Sequence, residues 1–426
     1  MRICHFIFDD IVIITFIKRN IKTIIKFEPK YLMLISELDL KDKKVLVRVD
    51  FNVPMNKNLE VTDNTRIKSS MNTIMHILRN GGTCILISHM GRPNGYEKNL
   101  SLKNIVGELE KLLNKKIIFL NDCIGDRIEK ACREAKKGEV ILLENLRFYP
   151  EEELGELNFA RALSAIGDVY INDAFGTAHR NHASTGILPT LFKRKKAMGF
   201  LLHREVEAID KVLKNGRAPV LSIIGGAKVS SKIQILKNLI NFVDDLIIGG
   251  GMAYTFIKSQ GGEIGNSLVE EVFLDEAQKI LLLAKDKNVK VHLPHDVVVS
   301  EKFSNSSTTE TVNIYNIPKN MEGLDIGPLT IKKFNETILS SKTILWNGPL
   351  GVFEMSNFQN GTKQIAVSIA NSTKRGAFSL VGGGDSISAI KLFGMDDKFS
   401  YISTGGGAML ESIEGKVLPG IEAILN

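Results

Sequence analysis

The chain has 426 residues, of which 44% are hydrophobic and 24% charged, and its formal net charge is +7. A chain of this length is longer than one hydrophobic core usually accommodates, which predicts two domains. The composition excludes a disordered protein. The positive excess is small and spread along the chain, which argues against a nucleic-acid-binding protein but suits one that binds small anions.

The four cysteines show no pairing pattern. No C-x-x-C motif is found among the four cysteines, which are Cys4, Cys84, Cys123 and Cys132. None of them lies beside a histidine at zinc-finger spacing. A protein of this kind is typical of a reducing compartment. We therefore expect a cytoplasmic protein.

Residues 1–33 differ from the rest of the chain. Their apolar run, 11–17, has seven residues, which is too short to span a bilayer. No small-residue cleavage site follows it, so a signal peptide fits poorly. We expect either a poorly ordered extension or a start codon assigned upstream of Met33, with an interfacial amphipathic anchor as the alternative.

From Lys44 the chain alternates between strand and helix patterns, as in an α/β domain with a parallel sheet. The predicted strands are 45–49, 84–88, 116–120, 140–143 and 169–172. The predicted helices are 65–80, which ends at a glycine pair, 101–113 and 156–165.

Polar and basic residues follow the ends of these strands. They are Asp50, Asn52, His89, Arg92, Arg147 and Arg180, with Arg66 just inside the first helix. A single arginine at a strand end is usually solvated. Because the strands of one parallel sheet deliver their carboxyl ends to one edge, we expect these side chains to converge in a basic pocket. Guanidinium forks suit phosphate and carboxylate groups.

Two H-x-x-H pairs raise the question of a metal site. His179 and His182 form one, and His292 and His295 form the other. No cysteine or carboxylate cluster completes either pair. The alternatives are hydrogen bonding in the anion pocket for the first pair and an ordinary loop for the second.

Residues 199–213 predict a long amphipathic helix between the two halves of the chain, and we interpret it as the connector. The basic run 193–196 before it is typical of a solvated loop rather than a nucleic-acid patch.

The second half opens on VLSIIGGAKVSSK, residues 220–232. A buried strand ends there at Gly225 and Gly226, which permit a tight turn and close approach of a ligand. We predict a helix over 229–242, with Lys228 and Lys232 on one face of its first turns. Such a turn, with a helix N-terminus and two cations, suits a phosphate group. The alternative is an ordinary βα turn with two solvated lysines.

Further strands are predicted at 246–248, 289–293, 343–346, 378–381 and 401–403, with a helix from Ile387 and a surface excursion at 303–315. Glycine turns follow several of these strands, but none matches the Walker A or the G-x-G-x-x-G pattern. Walker ATPases and NAD-dependent oxidoreductases therefore fit poorly. A ligand with a phosphate chain, Mg²⁺ and a ribose still fits this half of the chain. The features that suit it are the glycine turns, the two lysines, Glu354 and Asp385. An RNA-binding role would require clustered basic and aromatic stripes, which the seven tyrosines and one tryptophan do not form.

Taken in order, ten segments resemble phosphoglycerate kinases. They are RVDFNVP at 48–54, SHMGRP at 88–93, ENLRF at 144–148, DAFGTAHRNHAS at 173–184, GGAKVSSK at 225–232, GGGMAYTF at 249–256, LDIGP at 324–328, WNGPLGVFE at 346–354, GGGDS at 382–386 and STGGGA at 403–408. The resemblance covers residues 34–426.

The resemblance implies two Rossmann-like domains, each a parallel sheet flanked by helices, joined by a hinge helix. Residues 34–200 would form the glycerate-binding domain, 201–405 the connecting helix and nucleotide-binding domain, and 406–426 a tail that returns to the first domain. It also implies a monomeric, Mg²⁺-dependent enzyme acting on 1,3-bisphosphoglycerate, 3-phosphoglycerate, ADP and ATP, with no nucleic-acid or membrane partner.

The family's functional residues carry over by position. The glycerate-site residues would be Asp50, Phe51, Asn52, Arg66, His89, Met90, Gly91, Arg92, Arg147 and Arg180. The nucleotide-site residues would be Lys228, Lys232, Gly323, Glu354, Gly383, Gly384, Asp385 and Ser386, with Asp385 also the metal ligand. Arg66 and Lys228 would be the catalytic cations. Met90 replaces the usual leucine and Ser386 the usual threonine, and both replacements conserve the relevant chemistry.

Overall fold

A computed structural model of the chain describes residues 34–426, together with the backbone of three short strands before them. These strands form an antiparallel sheet, and they are β1 (His5–Phe8), β2 (Ile11–Ile14) and β3 (Ile25–Phe27). The prediction of a poorly ordered extension or a start at Met33 concerns residues 1–33, of which the structure describes only these three strands, and it stays a prediction.

The first large sheet has six strands, which are β4 (Lys44–Arg48), β5 (Thr83–Ile87), β6 (Ile117–Phe119), β7 (Val140–Leu142), β8 (Val169–Asn172) and β9 (Lys196–Met198). All are parallel, in the spatial order β6-β7-β5-β4-β8-β9. Their apolar, β-branched residues are buried, except Ile118 in the edge strand β6, as a sheet covered on both faces requires. The predicted parallel sheet is confirmed.

Six helices alternate with these strands along the chain: α1 (Thr65–Ser69), α2 (Met71–Arg79), α3 (Val106–Leu113), α4 (Asp126–Glu134), α5 (Pro150–Leu154) and α6 (Leu157–Ser164). Residues of α2 and α3 share one apolar cluster with the sheet, and residues of α4 and α6 share another. The prediction of one helix over 65–80 was wrong. The helix breaks at Ser70, whose N–H donates to the carbonyl of Ile67 three residues back.

The second large sheet also has six parallel strands, and the C-terminal half contains five further strands in smaller sheets. The eleven strands are β10 (Val220–Ile224), β11 (Asp245–Ile248), β12 (Glu263–Ile264), β13 (Lys290–His292), β14 (Asp296–Ser300), β15 (Glu310–Asn313), β16 (Asn316–Ile317), β17 (Glu322–Ile326), β18 (Thr343–Asn347), β19 (Phe378–Gly382) and β20 (Tyr401–Ile402). The order in the large sheet is β13-β11-β10-β18-β19-β20. An antiparallel sheet, β15-β14-β17, and the pair β12-β16 lie beside it, and the excursion predicted at 303–315 contributes β15.

The remaining helices are α7 (Phe200–Leu213), α8 (Ile233–Leu239), α9 (Met252–Ser259), α10 (Leu274–Asp286), α11 (Pro328–Ser340), α12 (Asn360–Lys374), α13 (Gly384–Leu392), α14 (Gly406–Ile413) and α15 (Pro419–Leu425). Short 3-10 helices are found at Ile35–Glu37, Lys98–Leu100, Leu102–Ile105, Leu146–Phe148, Phe175–Thr177, Leu188–Phe192 and Glu271–Phe273, and a π-helix at Ala183–Ile187.

Two helix predictions next to the glycine turns were wrong. The helix predicted over 229–242 is α8, which begins only at Ile233 and has seven residues, so Lys228 lies in the preceding loop. The helix predicted from Ile387 is α13, which begins three residues earlier at Gly384. Asp385 and Ser386 therefore lie in its first turn. Hydrophobic periodicity does not reveal such ends, because glycine turns carry no apolar stripe.

The connector helix α7 lies between the two large sheets. The buried carboxylate of Asp173 accepts hydrogen bonds from the N–H groups of Leu201 (2.8 Å) and Leu202 (3.2 Å) in its first turn, as an N-terminal cap does. The C-terminal helix α15 lies against the first domain, where Lys196 donates to the carbonyl of Ala423 (2.8 Å). The boundaries at 200 and 405 stay a prediction.

Among the described helices, none combines the length and the apolar character that crossing a membrane requires.

Candidate functional site

The basic residues after the strands of the first sheet converge on one cavity. Its volume is about 320 Å³, and its walls come from the loops that follow β4, β5, β7 and β8 and from α1. The lining residues are Asp50, Asn52, Arg66, His89, Gly91, Arg92, Arg147, Gly176, Thr177 and Arg180. We call this space the arginine cavity. Four guanidinium groups around one small volume can bind a compact, multiply anionic ligand.

Arg66 is held in the arginine cavity by the loop after β4. Its Nη1 lies 3.2 Å from the carboxylate of Asp50 and donates to the carbonyl of Asn52 (3.0 Å). The amide oxygen of Asn52 in turn accepts from the N–H of Gly91 (3.0 Å). The Arg66 side chain remains 38% exposed, so part of the guanidinium is free for a ligand.

Arg147 is the most enclosed of the four arginines. Its Nη1 donates to the carbonyl of Gly91 (2.6 Å), and its Nε lies 3.0 Å from the carboxylate of Glu153. Burial lowers the pKa of this guanidinium, which still remains charged at neutral pH. Arg92 is exposed and Arg180 half-buried at the rim.

Phe51 and Met90 do not line the arginine cavity. Both side chains are buried in the apolar cluster below it, and their N–H groups already donate to Ser88 Oγ (2.9 Å) and Asn145 Oδ1 (3.1 Å). Conversely, Gly176 and Thr177 line the cavity and were not predicted as site residues. The only sequence feature that could have indicated these two residues was their position within the DAFGTAHRNHAS segment.

The histidines near this cavity are neutral. Burial, and then the guanidinium groups of Arg48, Arg147 and Arg66, hold the pKa of His89 well below its ordinary value. Burial and neighbouring arginines also lower the pKa of His182 to about 3. Within residues 34–426, no three metal-ligating side chains cluster around either H-x-x-H pair. In the second pair, His292 lies 2.7 Å from the carboxylate of Asp245.

A polar cavity of about 440 Å³ lies at the carboxyl ends of β10, β18 and β19. Six of the predicted nucleotide-site residues line it: Lys228, Lys232, Gly383, Gly384, Asp385 and Ser386. We call this space the lysine cavity. The helix whose N-terminus lies at this cavity is α13, and its first turn contributes Asp385 and Ser386.

The lysine cavity is braced by hydrogen bonds between its loops. Lys232 Nζ donates to Oδ1 of Asn347, and the amide nitrogen of Asn347 donates to the carbonyl of Gly382 (2.8 Å). Ser386 Oγ accepts from the N–H of Gly348 (2.7 Å). Burial lowers the pKa of Lys232, and the negative charge of Asp385 opposes this shift. Asn347 was not predicted as a site residue, although it lies in the WNGPLGVFE segment.

An apolar cavity of about 400 Å³ adjoins the lysine cavity, and Asp385 lines both. Gly323 and Glu354, the other two predicted nucleotide-site residues, line this apolar cavity. Its apolar walls were not predicted, and they include Tyr254, Leu268, Phe303, Leu324, Val352 and Phe353. A Cβ atom on Gly323 would lie 2.0 Å from the hydroxyl oxygen of Tyr254, so the cavity requires glycine there. An apolar slot next to a polar, cationic one fits an aromatic base carrying a phosphate chain.

One ion pair joins the helices that carry residues of the two sites. Lys391 of α13 lies 2.6 Å from Asp63, which precedes α1. The other oxygen of Asp63 accepts from the N–H of Thr65 (2.8 Å). The hydrogen bonds from Lys391 and Thr65 lower the pKa of Asp63 to about 2. The pair links the segment before Arg66 to the helix that bears Asp385.

Comparisons with known proteins show which family the chain resembles over most of its length. The family model described as phosphoglycerate kinase matches residues 35–416. A phosphoglycerate kinase of Porphyromonas gingivalis is 46% identical over 417 residues, which cover 92% of this chain and 100% of that protein. A cytosolic phosphoglycerate kinase of Triticum aestivum is 47% identical and covers 92% of this chain and 97% of its own. The solved phosphoglycerate kinase of Coxiella burnetii superimposes with a TM-score of 0.86 at 39% identity, covering 92% of this chain and 99% of its own.

Proposed function

The chain belongs to the phosphoglycerate kinase family, a family of phosphotransferases with a carboxyl group as acceptor, and we propose the following reaction for it. It transfers a phosphoryl group reversibly between 1,3-bisphosphoglycerate and ADP on one side and 3-phosphoglycerate and ATP on the other. The observation that supports this most is the separation of two anion sites. The arginine cavity lies in the first domain, and the lysine cavity with its apolar neighbour lies in the second.

In this proposal the arginine cavity binds the glycerate. Arg92, Arg147 and Arg180 bind its phosphate group, while Asp50, Asn52 and His89 orient the rest of the molecule. Bidentate guanidinium contacts suit both the phosphate and the carboxylate. Phe51 and Met90 contribute by supporting the loops from the core, since their side chains do not reach the cavity.

The nucleotide occupies the other two cavities. Its base lies in the apolar cavity beside Gly323, and Glu354 lies within reach of the ribose. Its phosphates lie in the lysine cavity among Lys228, Lys232 and the residues Gly383, Gly384, Asp385 and Ser386. One carboxylate plus nucleotide phosphates is a common set of Mg²⁺ ligands, so Asp385 fits as the metal ligand. Mg²⁺ held there would neutralise charge on the phosphates.

The reaction needs no general base. The acceptor carboxylate of 3-phosphoglycerate and the acceptor phosphate of ADP are already ionised at neutral pH. Catalysis then depends on positioning and on stabilising the charge of the transferred group. We assign this role to Arg66 from one domain and Lys228 from the other. The helix dipole that assists them belongs to α13, since α8 begins too far from Gly226.

Transfer requires the two sites to approach each other, so we propose that the domains close around α7 and exclude water. We also propose that the enzyme acts as a monomer in the cytoplasm. Relatives of this chain include cytosolic and chloroplastic proteins.

The test is ATP formation from 1,3-bisphosphoglycerate and MgADP by the full chain and by a form that starts at Met33. We expect both forms to be active and residues 1–32 to be dispensable for the reaction. Two folded but inactive forms would contradict the proposed function. Activity of only one form would show that the extension affects catalysis.

A further inference from the structure

A chain of buried polar side chains lies beneath the arginine cavity. Arg48 at the end of β4 and Glu152 in α5 are both 0% exposed, and Ser184 lies between them in the π-helix. Burying two charged groups is costly unless each is compensated. The proposed reaction makes no use of them, so their presence calls for another reason.

Glu152 and Ser184 form a two-point contact. The Ser184 hydroxyl donates to one carboxylate oxygen of Glu152 (2.5 Å), and the Ser184 N–H donates to the other (2.9 Å). The hydroxyl oxygen in turn accepts from Nε of Arg48 (2.8 Å). Since the hydroxyl proton is engaged by Glu152, a lone pair of Ser184 faces Arg48. The direction of donation along this chain is therefore fixed.

Glu152 also compensates the Arg48 charge. Within residues 34–426, no carboxylate lies at ion-pair distance from the Arg48 guanidinium, and Glu152 reaches it through one hydroxyl. Burial raises the pKa of Glu152, and the positive charge of Arg48 opposes this shift. The two groups thus form an ion pair mediated by Ser184.

The far end of Arg48 contacts a residue of the arginine cavity. Its Nη2 lies 3.3 Å from Nδ1 of His89, while its Nη1 donates to the carbonyl of Val49. A guanidinium has no acceptor, so Nδ1 of His89 must be the acceptor. The carboxylate of Asp50 is farther away, at 4.0 Å from the same nitrogen. In a neutral ring the proton then sits on Nε2.

We propose that Glu152 is a positioning residue: through Ser184 and Arg48 it fixes His89 in the Nε2–H form, so that the arginine cavity has a neutral hydrogen-bond donor among its cations. This donor would serve an anionic oxygen of the bound glycerate. The contact between His89 and the glycerate depends on the function proposed above. The protonation state of His89 does not depend on it.

The test reads the protonation of His89 directly. Long-range ¹H–¹⁵N correlation spectra of the ligand-free protein, with the His89 signals assigned by their loss in His89→Gln, distinguish protonated from unprotonated ring nitrogens. We expect an unprotonated Nδ1 and a protonated Nε2. In Glu152→Gln the amide group presents a donor toward Ser184, the charge opposite Arg48 is lost, and a second population with a protonated Nδ1 should appear.

Steady-state kinetics give the second readout. In Glu152→Gln the KM for 3-phosphoglycerate should rise about tenfold, the effect of one lost charge-assisted contact, while the KM for ATP changes less than about twofold. Glu151→Gln, a matched change in the same helix, should leave the His89 spectrum and both KM values unchanged. If Glu152→Gln does not fold, Ser184→Ala removes the same connection and should shift the His89 signals likewise.

Three results would overturn the proposal. They are a protonated Nδ1 in the unaltered protein, an unchanged His89 spectrum in the folded variants, and an equal rise of both KM values. If the unaltered protein lacked kinase activity, the proposed function would fail, and the spectra would still decide the role of Glu152.

Discussion

The arginine cavity and the lysine cavity are built by different means. The first is built from charged side chains, each held by polar neighbours, as Arg66 is by Asp50 and Arg147 by the Gly91 carbonyl. The second is built mainly from backbone, where glycine turns and the first turn of α13 surround two lysines. Side-chain forks suit a compact ligand approached from several sides, and backbone turns suit an extended phosphate chain. Substitutions in the arginine cavity should therefore act mainly by removing charge. Substitutions on the nucleotide side should act mainly by filling space that the glycine residues leave open.

The largest effect is expected from removing either of the proposed catalytic cations, one in each site. Arg66→Ala and Lys228→Ala should each lower kcat about a hundredfold or more, because each removes a charge that stabilises the transferred group. Steady-state kinetics in both substrates provide the measurement.

Arg79→Ala, an exposed change in α2 outside the arginine cavity, is the control and should leave kcat unchanged. If Arg66→Ala kept its kcat and only raised KM, Arg66 would bind substrate and transition state equally, and its catalytic role would be wrong.

Asp385→Ala tests whether the two sites are independent. It should raise the KM for MgATP roughly tenfold or more, since the proposed metal ligand is lost, and change the KM for 3-phosphoglycerate far less. Asp397→Ala, another exposed aspartate of the same domain, serves as the control. Equal weakening of both substrates would indicate a general disturbance of the fold instead.

Gly323→Ala tests the importance of space on the nucleotide side. The added Cβ would lie 2.0 Å from the Tyr254 hydroxyl, and the ring is almost fully buried. Such overpacking costs about 1–3 kcal/mol, so we expect the KM for ATP to rise about tenfold. Gly107→Ala, where a Cβ meets nothing within 4 Å, should leave KM unchanged. An unaltered affinity in Gly323→Ala would exclude the apolar cavity as the base site.

Histidine protonation should act on the arginine side, because no histidine lines either nucleotide-side cavity. Burial lowers the pKa of His182 from 6.5 to about 3. Below about pH 6.5 the unfolded chain binds a proton that the folded chain does not. The stability contributed by the neutral ring is therefore complete above that pH and is lost as the pH falls towards about 3.

The free energy of unfolding, measured by urea denaturation at about pH 7.5 and about pH 5, tests this. His182→Gln should lose on the order of 1 kcal/mol less upon acidification than the unaltered protein, after allowance for partial solvation. An identical pH dependence in both proteins would show that His182 does not titrate as inferred.

The smallest effect is expected at the ion pair between the two sites. Asp63 and Lys391 are both partly exposed, and such pairs contribute about 0.2–1 kcal/mol. Lys391→Ala should therefore lower kcat/KM by about fivefold at most, and the difference should shrink at high salt. In a double-mutant cycle, Lys391→Ala should have little further effect once Asp63 is replaced by Asn, whose side-chain oxygen can still accept from the N–H of Thr65. An undiminished effect of Lys391→Ala in the Asp63→Asn background would rule out the charge pairing as its cause.

Much of the fold could be predicted because buried parallel strands have an unmistakable composition. β8 and β10 have the predicted ends, and the other predicted strands agree within one or two residues at each end. The convergence of Asp50, Arg147 and Arg180 was also predictable, since parallel strands bring their carboxyl ends to one edge. The predictions of Lys228 on a helix and of one helix over 65–80 were wrong, because the local hydrogen bonding at glycine turns and at Ser70 leaves no periodic signal.

The sequence by itself determined eleven of the twelve strands in the two parallel sheets, all but β9, together with their order along the chain and the polar residues at the strand ends, since these depend on local pattern and chain order. Only the tertiary structure decided the contacts between distant segments. It placed Phe51 and Met90 in the core, gathered the apolar cavity from separate loops, and paired Glu152 with Ser184 and Arg48. Such contacts join residues far apart in the chain, and they form only when the packing of sheets and helices fixes the distances between them.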